Sequence, residues 1–153
     1  MEYYVYTAVV EGVQRHCLAI LEKEVASNKG LQKRAIAGFL KNGKVDVGEF
    51  EENQAFKDFL HKFIARHLPE QPDFVREGRK IMNGYVYLID KRTKNPKGDV
   101  PMQDIIGAMN FENGNLLPDS YLPNKNYKLF TGKGFFGLPF TLEEALLKEL
   151  QQP

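Results

Sequence analysis

The chain has 153 residues, 42% apolar and 27% charged, the mixture of one globular domain with room for a real core rather than of a disordered segment. Its net charge of +1 gives no global attraction to nucleic acid or to an anionic membrane, and its apolar runs fall far short of a bilayer span. Cys17 stands alone, which excludes an intramolecular disulfide; with no basic leader or cleavage site at the N-terminus, the expectation is a cytoplasmic protein.

Tyr3 to Val10 is aromatic and β-branched, the signature of a first strand. Val13, Cys17, Ile20, Leu21 and Val25 fall at helical spacing and predict a helix over Val13–Ser27, with Asn28-Lys29-Gly30 as its stop. Lys33 to Lys41 returns to strand character. Asn42-Gly43 reads as a tight hairpin turn, with Val45 to Val47 as the return strand. Asn53 reads as the N-cap of the clearest helix, Gln54–Leu68, where Phe56, Phe59, Leu60, Phe63, Ile64, His67 and Leu68 repeat at three- and four-residue steps. Pro69 and Pro72 end it, and Pro72 to Lys80 fits a short helix with proline in its first turn.

Tyr85 to Asp90 is a strand, Lys91 to Val100 a polar loop, and Ile105 to Glu112 a strand leading into a second Asn-Gly turn. Pro118 and Pro123 keep Leu116 to Tyr127 out of a sheet centre, so an edge strand running into a loop is expected there. Phe135 to Leu138 reads as a short strand. Thr141 and Glu144 suggest a capping box opening a last helix, with Leu142, Ala145, Leu146 and Leu150 on one face. Local hairpins without regular βαβ alternation predict a single α+β domain with a largely antiparallel sheet, packed by the Val13–Ser27, Gln54–Leu68 and Leu142–Leu150 helices.

Residues 42–59 and 113–130 look like two copies of one unit. Gly43 and Gly114, Asn53 and Asn124, Lys57 and Lys128, and Phe59 and Phe130 are each 71 apart, and Phe50 and Phe56 match Tyr121 and Tyr127. Tyr4-Val5-Tyr6 reappears as Tyr85-Val86-Tyr87, and Ile36-Ala37-Gly38 as Ile105-Ile106-Gly107. An internal duplication follows, copy one over about 4–59 and copy two over about 85–130.

The residues exclude several chemistries. Gly132-Lys133-Gly134-Phe135-Phe136-Gly137 matches GxGxxG literally, but Pro139 follows and no βαβ unit can be completed. Cys17 beside His16 points away from it on a helix and shares the apolar face, where a thiol is inert packing. His61 and His67 are six apart and cannot chelate one ion, so no metal and no cofactor is expected.

Two readings of function remain. Arg76, Arg79, Lys80, Lys91, Arg92, Lys94 and Lys97 outnumber Glu77 and Asp90 in one span, which suits a surface for an acidic partner or an anionic small molecule. Asn124, flanked by Tyr121 and Tyr127, is either a cleft residue or a turn residue like Asn53. The first expectation is a protein that binds another macromolecule, as an inhibitor, immunity-type factor or adaptor, through Arg79, Arg92, Lys94, Tyr121, Asn124 and Tyr127. Its partner is another protein or a second copy, not nucleic acid or a membrane. The alternative is a small enzyme or binding protein for an anionic small molecule, with His61, Asn124 and Tyr121 or with Arg79 and Arg92 at its site.

Overall fold

A computed structural model describes residues 1–29 and 32–152. Tyr4–Val10 (β1) and Val13–Ala19 (β2) form an antiparallel hairpin closed by Glu11 and Gly12, both at positive φ (51° and 82°). That two-residue turn has the twist of the strands it joins. The helix expected over Val13–Ser27 is therefore corrected: its first half is β2, and only Lys23–Lys29 (α1) is helical. The apparent helical period ran across two elements, because β2 is buried without alternation at Cys17, Leu18 and Ala19. Gly30 of the expected stop lies outside the described residues.

A one-turn helix, Gln32–Ala35 (α2), occupies the start of the expected 33–41 strand and leads into Ile36–Leu40 (β3), which is buried at all five positions. Phe50–Glu52 (β4) completes an antiparallel sheet in the order β1-β2-β3-β4. No tight hairpin forms at Asn42-Gly43 and Val45–Val47 is not its return strand. Gly43 alone takes positive φ there (77°), and the chain passes through a 3-10 turn at Val47–Glu49 before β4.

The second sheet contains Gly84–Ile89 (β5), Ile105–Glu112 (β6), Asn115–Leu116 (β7) and Leu122–Pro123 (β8), all paired antiparallel. β5 lies on one side of β6; β7 and β8 share the other. The Asn113-Gly114 turn does form as expected, with both residues at positive φ (52° and 79°) between β6 and β7. Phe130–Thr131 (β9) and Gly134–Phe135 (β10) make a small hairpin where a Phe135–Leu138 strand was expected.

Three longer helices close the core: Gln54–His67 (α3), Pro72–Ile81 (α4) and Phe140–Leu150 (α5). α3 buries Phe56, Leu60, Phe63 and Ile64, and α5 buries Leu142, Leu146 and Leu150, in one cluster with Val86, Leu88, Ile106, Met109 and Phe111 of the second sheet. α4 approaches that sheet closely because Gly78 has no Cβ to overlap the Phe111 ring. The capping box is not formed: Pro139 precedes α5, and Thr141, inside the helix, donates to Gln71 Oε1. A smaller core of Cys17, Ala19, Ile36 and Phe39 lies with Tyr6, Ala8 and Val10. The architecture is α+β with antiparallel sheets.

The two sheets have matching registers. Leu18 faces Gly38 and Ala19 faces Ile36 across a bulge; Leu88 faces Gly107 and Ile89 faces Ile105 across another. A Cβ on Gly38 would overlap the Phe50 ring, and one on Gly107 the Tyr121 ring. By register β5 corresponds to β2. The Tyr4-Val5-Tyr6 and Tyr85-Val86-Tyr87 match is thus corrected, since β1 lies one strand further out.

Candidate interaction surface and cleft

Asn53 and Asn124 make matching sets of hydrogen bonds. Asn53 Nδ2 donates to Ile36 O (2.8 Å) and Lys33 O (3.4 Å), and its Oδ1 accepts from Ala55 N–H (3.2 Å) at the start of α3. Asn124 Nδ2 donates to Ile105 O (2.7 Å) and Met102 O (2.8 Å), and its Oδ1 accepts from Asn126 N–H (3.1 Å). Their backbone N–H groups donate to Ala37 O and Ile106 O. Each carboxamide ties the entry of a central strand to the segment returning beside it.

Arg92 and Tyr127, both expected on a surface, are inside. The Arg92 side chain is 4% exposed; it donates to Lys128 O (2.7 Å), Gly134 O (3.2 Å), Gln103 O (3.3 Å) and Thr131 Oγ1 (3.4 Å). Its Nε lies 3.2 Å from Asp90 Oδ1 with the hydrogen aimed elsewhere, so that contact is an ion pair and not a hydrogen bond. Asp104 is 3.4 Å from both Arg92 and Lys133 and accepts from Thr93 Oγ1 at 2.7 Å. Tyr127, fully buried, donates to Asp90 Oδ2 at 2.7 Å. Burial pushes the Asp90 carboxyl up, against the pull of Arg92, Tyr127 and the Gly137 N–H, and pushes the Tyr127 hydroxyl far up as well. The two acids and two cations compensate each other and pin the loop after β5 to β9 and β10. This network supports the fold.

Tyr121 does meet His61, and Asn124 lines a cleft with it. The Tyr121 hydroxyl is 2.6 Å from His61 Nδ1. His61 also lines a cleft of about 310 Å³ between α3 and residues 123–125, with Lys57, Asp58, Asn124 and Lys125. Burial, then the charge of Lys57, lowers the His61 pKa to about 4 despite Asp58, and burial raises that of Tyr121. At neutral pH this is an uncharged imidazole against an uncharged phenol. Neither is activated as a nucleophile, and Lys57 is already held by Glu52 (2.9 Å) and Tyr127 O. Arg79, on the exposed side of α4, and Lys94, in the loop after β5, are exposed and belong to neither cluster.

The outer face of the second sheet differs from that of the first. Tyr85 (46% exposed), Tyr87 (58%), Met102 (62%) and Leu122 (53%) stand open to solvent and line a groove of about 290 Å³ with Ile105 and Pro123. At the corresponding positions the first sheet carries Arg15, Cys17, Lys33 and Glu51. There the Arg15 guanidinium lies 3.8 Å over the Phe39 ring and 3.2 Å from Glu51, and β1 pairs along β2. Among the described residues no strand pairs with the outer edge of β5.

Sequence reasoning misses this face because tyrosines at positions 85 and 87 already satisfy a strand pattern. The available signal was alternation: Val86 and Leu88 supply the buried face, which leaves two tyrosines and no charge on the other. Cys17 is buried on a strand, burial raises its thiol pKa, and it is packing rather than a nucleophile. Among the described residues no group of three His, Cys, Asp or Glu could hold a metal, and no helix is long and apolar enough to cross a membrane. Comparison with protein-family models, curated proteins and solved structures gives no match.

Proposed function

We propose that the protein acts by binding another macromolecule through the outer face of its second sheet, in an inhibitor, immunity-type or adaptor role in the cytoplasm. The observation that carries this reading is the contiguous exposure of Tyr85, Tyr87, Met102 and Leu122 beside an unpaired strand edge. Exposed apolar groups gathered in one groove mark interaction sites, and a free edge recruits another chain through its backbone. The exposed Lys91, Lys94 and Lys97 of the following loop would steer an acidic partner. The two halves are read as copies of one ancestral unit. Matching bulges, matching asparagine bonds and matching glycines under aromatic rings support this. On this reading the first copy has an outer face of Cys17, Ala19, Ile36 and Phe39 packed with β1 residues and Arg15, and the second an apolar face open to solvent beside a free edge.

Affinity purification from the native cell with the wild-type chain and Tyr87→Lys tests the proposal. A stoichiometric partner, another protein or a second copy of this chain, lost on substitution is expected; a chain recovered alone as a monomer, or with a partner indifferent to Tyr87, would refute it. A second reading has one observation in its favour, the cleft beside His61 lined by Lys57, Lys125 and Asn124, sized for a small anion. A thermal-shift response to an anionic metabolite, abolished by Lys125→Ala, would favour that reading instead.

A further inference from the structure

The first sheet contains a worked example of what the edge of β5 lacks. β2 and β5 hold the same place beside their central strands, β3 and β6, down to the bulge. The outer edge of β2 is covered by β1, whose Tyr4, Val5 and Tyr6 face Ala19, Leu18 and Cys17. β5 has no such cover, yet it carries the covering tripeptide itself, as Tyr85-Val86-Tyr87.

Resting on the reading of this face as a binding face, we propose that its occupant is a second copy of this chain, pairing β5 with β5 antiparallel about a twofold axis. Transferring the β1–β2 register sets Tyr85 of one copy against Ile89 of the other, Val86 against Leu88, and Tyr87 against Tyr87. The axis then falls at Tyr87, near the middle of the six-residue strand, so the overlap takes in nearly all of β5. Every cross-strand pair is apolar or aromatic, the kind that stabilises a sheet, and no like charges meet. Two four-stranded sheets become one continuous sheet, and the tyrosines of both copies close over the grooves.

The composition of the edges agrees. Free edges are normally blunted by charge, proline or brevity. β4 carries Glu51 and Glu52, and β8 is two residues long and ends in Pro123; β5 has none of these protections. β1 is the rival, a longer uncharged free edge with Val9 exposed, and the test must separate the two.

Sedimentation of the full chain from about 1 to about 100 μM spans the affinities such an interface would have. The wild type is expected to dimerise. Tyr87→Lys and Tyr87→Glu are each expected to be monomeric with unchanged far-UV circular dichroism, because the side chain is exposed. Mixing the two variants in equal amounts is expected to restore a dimer, since opposite charges then meet across the axis. A monomeric wild type, a dimer retained in Tyr87→Lys, a mixture that stays monomeric, or dimerisation abolished by Val9→Lys alone would each overturn the proposal. A monomeric wild type whose cellular partner is still lost in Tyr87→Lys would end self-pairing and leave the broader binding reading standing.

Discussion

Replacing Asn124 separates two roles for its carboxamide that the sequence leaves equivalent. As a turn residue it would need only Oδ1, which accepts from Asn126 N–H; the structure adds two Nδ2 donations, to Ile105 O and Met102 O. Asn124→Ala removes all three bonds. At about 1 kcal/mol net per neutral bond, with added cost where a partly buried carbonyl loses its donor, the loss is about 3–4 kcal/mol. That is a large share of the ~5–15 kcal/mol available to a domain. Asn124→Asp is the sharper test. It keeps the oxygen facing Asn126 N–H but turns a carboxylate oxygen towards two carbonyls that now lie 2.7 Å and 2.8 Å from a donor, so it should cost at least as much as alanine. Asn53→Ala, which removes the matching three bonds, one of them the cap of α3, should cost about as much as Asn124→Ala. Urea unfolding followed by circular dichroism, comparing midpoints at constant m, measures all three. An Asn124→Asp variant within about 0.5 kcal/mol of wild type would refute the carbonyl clamp, since surface substitutions without such a role fall in that range.

Arg92→Ala should destabilise by about 3–5 kcal/mol, because it leaves two buried carboxylates short of their central cation; a near-neutral effect in the same urea assay would show that solvent reaches Asp90 and Asp104. His61, with a folded pKa of about 4 against 6.5, binds its proton more weakly in the native state than in the unfolded chain. Its contribution is fully present above the unfolded pKa and is lost as pH falls through the window down to the folded one, by at most about 3 kcal/mol. His61→Gln should flatten that part of the stability–pH curve, and an unchanged slope would place the acid sensitivity elsewhere.

Residues 53–68 determined their own structure: an asparagine cap, apolar residues at three- and four-residue steps, and prolines beyond them leave a helix as the only way to bury that stripe. The strands β5 and β6 and the Asn113-Gly114 turn between β6 and β7 were equally legible, since alternation and positive φ are local properties. Positions 13–27 show the limit, where Val13, Cys17, Ile20 and Leu21 satisfied a helical period although Gly12 closes a hairpin just before them. A three- or four-residue spacing in a strand buried on both faces is indistinguishable from a helix until its neighbours are known. The fate of the charges was decided wholly in three dimensions. Arg92 and Lys94 are two residues apart in one basic loop, yet Arg92 is buried between Asp90 and Asp104 while Lys94 faces solvent. The meeting of His61 with Tyr121 across sixty residues, and the open edge of β5, likewise depend on which segments pack together, and packing partners leave no periodicity in either segment alone.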